Sequence, residues 1–199
     1  MNHSKRFSTL ILGLFCYGLG LALMVEARIG VPPWDVLAQG ISLKAGISYG
    51  GASVVVSVLV MLCWIPLKQR FGLGTVLNGL LIGPFADLWM FWLPEPQGYL
   101  WQLGAFLLGM VVVAFATGLY VSAQYGTGPR DGLMIGTQRV TGWAFWKIRT
   151  GYEATVLAIG WALGGQFREG TLIFALCIGP LMQLALRLFR YVDPQKSSE

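Results

Sequence analysis

The chain has 199 residues, of which 55% are hydrophobic and only 12% are charged. A soluble domain carries about 25% charged residues, so this composition excludes a water-soluble protein of ordinary surface polarity and predicts an integral membrane protein in contact with the lipid bilayer. The 14 basic and 9 acidic side chains leave a formal net charge of +5. In a membrane protein such a surplus first indicates orientation, so no nucleic-acid partner is expected.

Six segments are candidates for transmembrane helices. A bilayer core about 30 Å thick requires roughly 20 apolar residues per helix. The sequence meets or approaches this length in residues 7–26, 47–67, 73–93, 99–123, 143–167 and 171–186. The last segment is short, so Arg187 and Arg190 are expected to extend towards the lipid headgroups. The first resembles a signal peptide because Lys5 and Arg6 precede it, but no clear cleavage site follows.

The basic residues predict the orientation of these spans. With the N-terminus in the cytoplasm, eleven of the 14 basic residues fall on the cytoplasmic side. The three on the outer side are Arg28, Lys44 and Arg168. Because cytoplasmic loops concentrate Lys and Arg, this distribution places both termini in the cytoplasm.

An internal repeat divides the chain into two halves. Aligning residues 23–88 with 119–184, an offset of 96, gives nineteen identities in 66 positions, where about five are expected by chance. Each half holds three predicted spans, an odd number, so the second half enters the membrane from the opposite side. We therefore predict an all-α membrane protein with one domain, built from two inverted three-helix repeats at about 7–93 and 99–190.

The repeated segments "IGVPPWDVLAQG" and "YGTGPRDGLMIG" are predicted to break the chain after the first span of each repeat. Residues 97–129 are uncharged and too long for a single crossing. Each break is followed by a segment too short to cross, 35–45 or 131–140, which forms either an interfacial or a re-entrant helix. The residues predicted to interrupt the helices are Gly30 and Pro33 in the first copy, and Gly126, Gly128 and Pro129 in the second.

Two interpretations of these breaks remain open. In the structural one, Asp35 and Asp131 cap tight turns at helix N-termini and Arg130 is an anchor at the inner surface. In the functional one, the two N-termini and Arg130 face a polar cavity and attract an anionic group, as broken helices do in many transporters. Trp34 replaces arginine in the first copy and supplies a stacking face. The candidate substrate-binding residues are therefore Arg130, Asp131, Asp35 and Trp34.

Carboxylates within or near spans are candidates for ion or proton coupling. Glu153 lies four residues after Arg149, one helical turn, so the two side chains are placed to pair. They form either a simple ion pair at the end of the fifth span or a coupling site facing the interior. Asp87 is the only ionisable residue of its span, and it either binds an ion or proton or extends to the outer surface.

A glycine–proline pair is repeated inside the third and sixth spans. Gly83 and Pro84 match Gly179 and Pro180 at the same offset of 96. Proline removes a backbone hydrogen bond and kinks a helix, and the adjacent glycine permits close packing. The pairs are either packing kinks or matched hinges for alternating access.

Few residues are available for catalysis or metal binding. His3 is the only histidine, and Cys16, Cys63 and Cys177 lie in apolar runs without paired spacing. With no nucleophile–base, metal-ligand or phosphate-loop pattern, we expect no enzyme, no cofactor and no metal. A homodimer is compatible with such a small bundle.

The motifs "PPWD", "GLGT…GP", "GPRDGLM", Arg149…Glu153 and "GTLIFALCIGP" resemble the YczE-type bacterial membrane proteins, relatives of the YitT group, over nearly the whole chain. The resemblance implies a small multi-pass protein of the bacterial cytoplasmic membrane. The favoured function is a small solute permease or channel-like carrier with a polar site between inverted repeats. The alternative is a non-transporting accessory or regulatory protein that binds a partner or a hydrophobic ligand.

Overall fold

The computed structural model describes residues 3–189, and these residues form eight α-helices. The helices are α1 (His3–Glu26), α2 (Pro33–Ala45), α3 (Tyr49–Cys63), α4 (Leu73–Trp92), α5 (Tyr99–Ser122), α6 (Pro129–Thr141), α7 (Phe145–Ala162) and α8 (Glu169–Leu188). The predicted all-α class is confirmed. Arg190, at the end of the predicted second repeat, lies outside the described residues.

Four helices, α1, α4, α5 and α8, are long and apolar enough to cross a membrane. A fifth candidate is the pair α2 and α3, which meet at 116° across a short break. The chain is therefore a multi-pass membrane protein with four or five candidate spans among its described residues. Helix α7 carries Lys147, Arg149 and Glu153 within its first half, whereas the charged residues of α1 and α8 lie at the helix ends.

Two predicted spans are shorter in the structure than in the sequence analysis. Residues 47–67 contain a helix that ends at Cys63, and residues 143–167 contain one that ends at Ala162. The first ends just before Pro66, which cannot donate a backbone hydrogen bond to continue the helix. The second ends before Gly164, whose φ of 100° is incompatible with a right-handed helix.

The short helices predicted after the two breaks are present as α2 and α6. Each begins at a proline in its first turn and ends at a glycine in the left-handed conformation, Gly46 at φ 67° and Gly142 at φ 69°. This is the usual placement of the two residue types at helix ends. In the preceding breaks, Gly30 and Gly126 have φ values of 121° and 119°, so both turns require glycine.

The second half of the structure (α5–α8) has the same register as the first half (α1–α4). Each of its helices begins 96 residues after its counterpart, and three of the four pairs have equal lengths. Matching hydrogen bonds also connect the two halves. The start of α4 bonds to the break before α6, and the start of α8 bonds to the break before α2. These are Gly74 N to Tyr125 O (2.9 Å) and Gly170 N to Ile29 O (2.7 Å), Thr75 Oγ1 to Thr127 O (2.7 Å) and Thr171 Oγ1 to Val31 O (2.8 Å).

Helices α1 and α5 pack together at the centre and run antiparallel. Gly13 of α1 faces Tyr120 of α5, while Gly20 faces Gly109 and Val113. A Cβ atom on Gly13 would lie 2.8 Å from the Tyr120 backbone nitrogen, so glycine permits the close approach of the two helices. Helix α4 packs on α1, and its counterpart α8 packs on α5.

Candidate functional site

The N-terminal turns of α2 and α6 meet through an ion pair between Arg130 and Asp35. The guanidinium donates two hydrogen bonds, from Nη1 to Asp35 Oδ2 at 3.2 Å and from Nη2 to Oδ1 at 3.0 Å. Tyr49 Oη also donates to Asp35 Oδ1 at 2.9 Å. Only 1% of Asp35 is exposed. This carboxylate therefore has its charge balanced by a bidentate partner, the strongest form of charge-assisted hydrogen bonding.

Trp34 and Arg130 occupy equivalent positions in the two halves and contact each other. The Arg130 Cζ atom lies 5.7 Å from the centroid of the Trp34 ring, within the range of a cation–π interaction. The charge of one copy and the aromatic face of the other therefore come together. The buried Trp34 Nε1 has no hydrogen-bond partner within residues 3–189.

The structural interpretation treated the two aspartates alike, but the structure places them in different environments, and Asp35 does not act as a cap. Within the described part of the chain, the backbone of α2 donates no hydrogen bond to Asp35, because the carboxylate accepts from Arg130 and Tyr49 instead. Arg130 is likewise directed at Asp35 rather than outward as an anchor. Asp131 is placed in the first turn of α6, where the helix dipole favours a negative charge.

A cavity of about 110 Å³ lies beside this ion pair. All eight helices contribute to its lining, and the volume is sufficient for several water molecules or a small organic molecule. Most of the lining consists of pairs of residues whose numbers differ by 96, so the cavity lies where the two halves meet. The nine pairs are Tyr17/Val113, Leu21/Thr117, Pro32/Gly128, Pro33/Pro129, Trp34/Arg130, Ser53/Arg149, Ser57/Glu153, Asn78/Phe174 and Ile82/Ile178.

The equivalent positions differ in chemistry. The predicted pair is present, since Arg149 Nε donates to Glu153 Oε1 at 2.8 Å. Both side chains line the cavity, opposite the neutral Ser53 and Ser57 of the first half. Asp131 also lines the cavity, is exposed, and forms no hydrogen bond or ion pair with another residue in the described range. The Asp, Glu and Arg side chains of the lining therefore all belong to the second half.

Asp87 lies apart from the cavity lining. Its Oδ1 accepts a hydrogen bond of 2.8 Å from the backbone nitrogen of Gly50, in the first turn of α3. The side chain thus satisfies one of the free N–H groups at that helix end. Asp87 joins α4 to α3, a contact that its span alone did not predict.

The two glycine–proline pairs lie inside α4 and α8 as predicted, but their surroundings differ. Gly83 is buried against α3, where an added Cβ would lie 2.4 Å from Gly50 O. Gly179 is exposed, with no heavy atom of the described chain within 4 Å of an added Cβ. Pro84 and Pro180 are both exposed. One member of the pair is therefore a packing site and the other is open.

Several residues of the site were missed in the sequence analysis. They are Tyr17, Tyr49, Ser53, Ser57, Asn78, Thr117 and Tyr120. Polar positions inside apolar helices, read together with the residues 96 positions away, would have selected most of them. Tyr49 carries no such signal, because its equivalent is Phe145. The described residues contain no group of three or more His, Cys, Asp or Glu side chains arranged for a metal ion.

Comparison with known proteins identifies the family. The model of a family of unknown function (DUF6198) matches residues 4–187. The chain belongs to the DUF6198 family. Two relatives support this membership. An "Uncharacterized protein" of Haemophilus influenzae is 36% identical over 184 residues, covering 92% of this chain and 84% of the relative. The "Uncharacterized membrane protein YczE" of Bacillus subtilis is 32% identical over 183 residues, covering 91% and 85%.

The predicted resemblance to YczE-type proteins is thereby confirmed, and this DUF6198 chain is a bacterial multi-pass membrane protein. A third relative, the "Uncharacterized protein YyaS" of Bacillus subtilis, is 26% identical over 176 residues, covering 86% of this chain and 87% of the relative. No solved structure matches the chain.

Proposed function

We propose that the protein is a small solute carrier whose substrate occupies the cavity, and whose two halves are inverted repeats that alternate between two conformations. The observation that carries this proposal is the cavity itself, which lies where the two halves meet and is enclosed more tightly by the first half than by the second. Membership of a multi-pass membrane family is consistent with this function, and the geometry supplies the further support.

The inverted arrangement is supported by the direction of the helices. A repeat with an odd number of crossings reverses its direction in the membrane, so equivalent helices are expected to run antiparallel. Helices α1 and α5 are equivalent and antiparallel, and the same bonds join each break to the opposite half. The asymmetric distribution of basic residues favours the same topology.

The two halves enclose the cavity differently. Helices α3 and α4 pack closely at Gly50 and Gly83, whereas their counterparts α7 and α8 form no comparable packing in the described chain. The exposed fractions of the lining residues show the same difference between the halves. On α3, Ser53 and Ser57 are only 4% and 7% exposed. Their equivalents on α7, the side chains of Arg149 and Glu153, are 38% and 24% exposed. The cavity is therefore more accessible between α7 and α8.

Exchange of these two arrangements would constitute alternating access. In inverted-repeat transporters, each half adopts in one state the arrangement of its partner in the other, usually through hinge or shear movements. Here α7 and α8 would close at Gly179 while α3 and α4 separate at Gly50 and Gly83. With the predicted topology, the present conformation opens towards the cytoplasm.

Labelling of single cysteines tests the inverted topology. Lys44 and Val140 are exposed, equivalent positions in the last turns of α2 and α6. In a variant lacking the native cysteines, we expect a membrane-impermeant maleimide to label Lys44→Cys in intact cells. Val140→Cys is expected to react only after the cells are opened. Labelling of both from the same side would contradict the inverted repeat.

Uptake into proteoliposomes tests transport. We expect at least one of radiolabelled choline, glycerol and acetate to enter faster than in protein-free liposomes. For choline, whose positive charge Asp131 would balance, Asp131→Asn is expected to lower that rate by about tenfold, the factor that corresponds to roughly 1.4 kcal/mol of binding free energy. Glu169→Gln, an exposed carboxylate outside the cavity, is the matched control and should retain it. Absence of uptake of all three solutes would favour the non-transporting alternative.

A further inference from the structure

The charges around the cavity are unequal. The lining contains two arginines, Arg130 and Arg149, and two carboxylates, Asp131 and Glu153. A third carboxylate, Asp35, pairs with Arg130 beside the cavity. Each arginine is paired with one carboxylate, so one negative charge remains in excess among the described residues. That charge belongs to Asp131, which has no protein partner in the described range.

Both arginines already have a carboxylate partner, so neither offers an uncompensated positive charge to an anion. An anion that took the bidentate position on Arg130 would displace Asp35, which is almost fully buried and would lose this partner. A buried charge without a partner is strongly unfavourable. Arg149 is held by Glu153 at 2.8 Å. The anionic group of the functional interpretation is therefore disfavoured by the way these arginines are paired.

A cation can bind without displacing any of these contacts. Asp131 is exposed to the cavity, and its negative charge would be balanced directly by a ligand. Four aromatic side chains from four different helices line the same space: Tyr17, Trp34, Tyr120 and Phe174. Aromatic faces attract cations, and sites for substituted ammonium ions use them for this purpose.

The lining favours an organic cation over a metal ion. Calcium and magnesium require several oxygen ligands at short distances, and the described residues contain no cluster of that kind. A substituted ammonium ion carries its charge on a largely apolar surface. One carboxylate together with aromatic walls is sufficient to bind it.

From this geometry we infer that the cavity binds a small organic monocation of the substituted-ammonium class, with Asp131 as its counter-charge and the aromatic side chains as its walls. The inference rests on the proposed function, because it takes the cavity as the substrate site. It adds the chemical class of the substrate.

Three probes of matched shape and different charge test this inference. Choline is a cation, 3,3-dimethyl-1-butanol is its neutral carbon analogue, and 3,3-dimethylbutyrate is an anion of similar size. Thermal unfolding of the purified full-length protein in detergent is followed at increasing concentrations of each probe, at constant ionic strength. We expect only choline to raise the melting temperature with a saturable dependence, because a ligand that binds the folded state stabilises it by mass action.

Variants assign the effect to the cavity. Asp131→Asn keeps the shape of the side chain and removes its charge, so the choline concentration for half-maximal stabilisation should rise about tenfold or more. Glu169→Gln should leave it unchanged. A larger effect of 3,3-dimethylbutyrate, an equal effect of the neutral alcohol, no saturable effect of choline, or an unchanged response of Asp131→Asn would each overturn the inference.

The outcome is separable from that of the proposed function. Choline binding through Asp131 without uptake of any solute would leave the substrate class standing and contradict the carrier. Saturable uptake of acetate, with no binding of choline, would leave the carrier standing and contradict the class.

Discussion

Arg130→Ala is expected to lower the free energy of unfolding by about 3–5 kcal/mol, the typical cost of removing one partner from a buried ion pair. Asp35 is 1% exposed and accepts two hydrogen bonds from the Arg130 guanidinium. After the substitution, only the Tyr49 hydroxyl remains to stabilise its charge. Unfolding of the purified protein in mixed micelles by a denaturing detergent measures the change.

Two further variants make this prediction specific. The double variant Arg130→Ala with Asp35→Ala should be less destabilised than the sum of the single variants, because it leaves no buried charge without a partner. Arg149→Ala removes an arginine from a partly exposed pair. Pairs of that type contribute about 0.2–1 kcal/mol. If Arg130→Ala and Arg149→Ala lowered the free energy of unfolding equally, the conclusion that the buried Asp35 carboxylate requires Arg130 as its partner would be wrong.

Gly83→Ala and Gly179→Ala are expected to change stability in opposite directions, although both replace the glycine of the same repeated motif. A Cβ atom at Gly83 would lie 2.4 Å from Gly50 O, and such overpacking typically costs about 1–3 kcal/mol. Gly179 has open space around it in the described structure. Alanine inside a helix is favoured over glycine by roughly 0.5–1 kcal/mol, so this variant should be slightly stabilised.

Transport distinguishes the two glycines further. If the two halves exchange arrangements, α7 must approach Gly179 of α8 as closely as α3 now approaches Gly83 of α4. The added methyl group of Gly179→Ala should then slow uptake while leaving the folded protein intact. Unfolding and uptake are measured on the same preparations. The control is Gly104→Ala at an exposed position in α5, where no heavy atom of another described segment lies within 4 Å of an added Cβ. Full activity in Gly179→Ala would contradict the proposed closure of α7 on α8.

Local spacing made part of the site predictable. The Arg149–Glu153 pair was predictable because the two residues are one helical turn apart. The breaks at Gly30 and Gly126 were predictable because glycine followed closely by proline is typical of a turn that leads into a new helix. The repeat then predicted the register of the second half from the first, and the structure has that register. All of these features depend on patterns that are contained within a short segment or repeated at a fixed offset.

The remaining features depend on contacts that no local pattern encodes. The ion pair of Arg130 with Asp35 joins residues 95 positions apart, so each side chain could be selected as polar but their pairing could not be predicted. Asp87 illustrates the same limit, since its bond to Gly50 arises from the packing of α3 on α4. Gly83 and Gly179 belong to the same sequence motif, so the motif alone could not predict that their surroundings differ. The difference arises from how closely the neighbouring helix packs in this conformation.

The reciprocal bonds of Thr75 and Thr171 make each half depend on the other. The break before α2 obtains its hydroxyl partner from α8, and the break before α6 obtains its partner from α4. A polypeptide with only one half would therefore lack the hydroxyl partner of the carbonyl in its own break. Under the proposed inverted arrangement, a second copy in the opposite orientation would supply that partner, so the two halves relate to each other as the subunits of a dual-topology homodimer would, with Trp34 and Arg130 in contact where they meet.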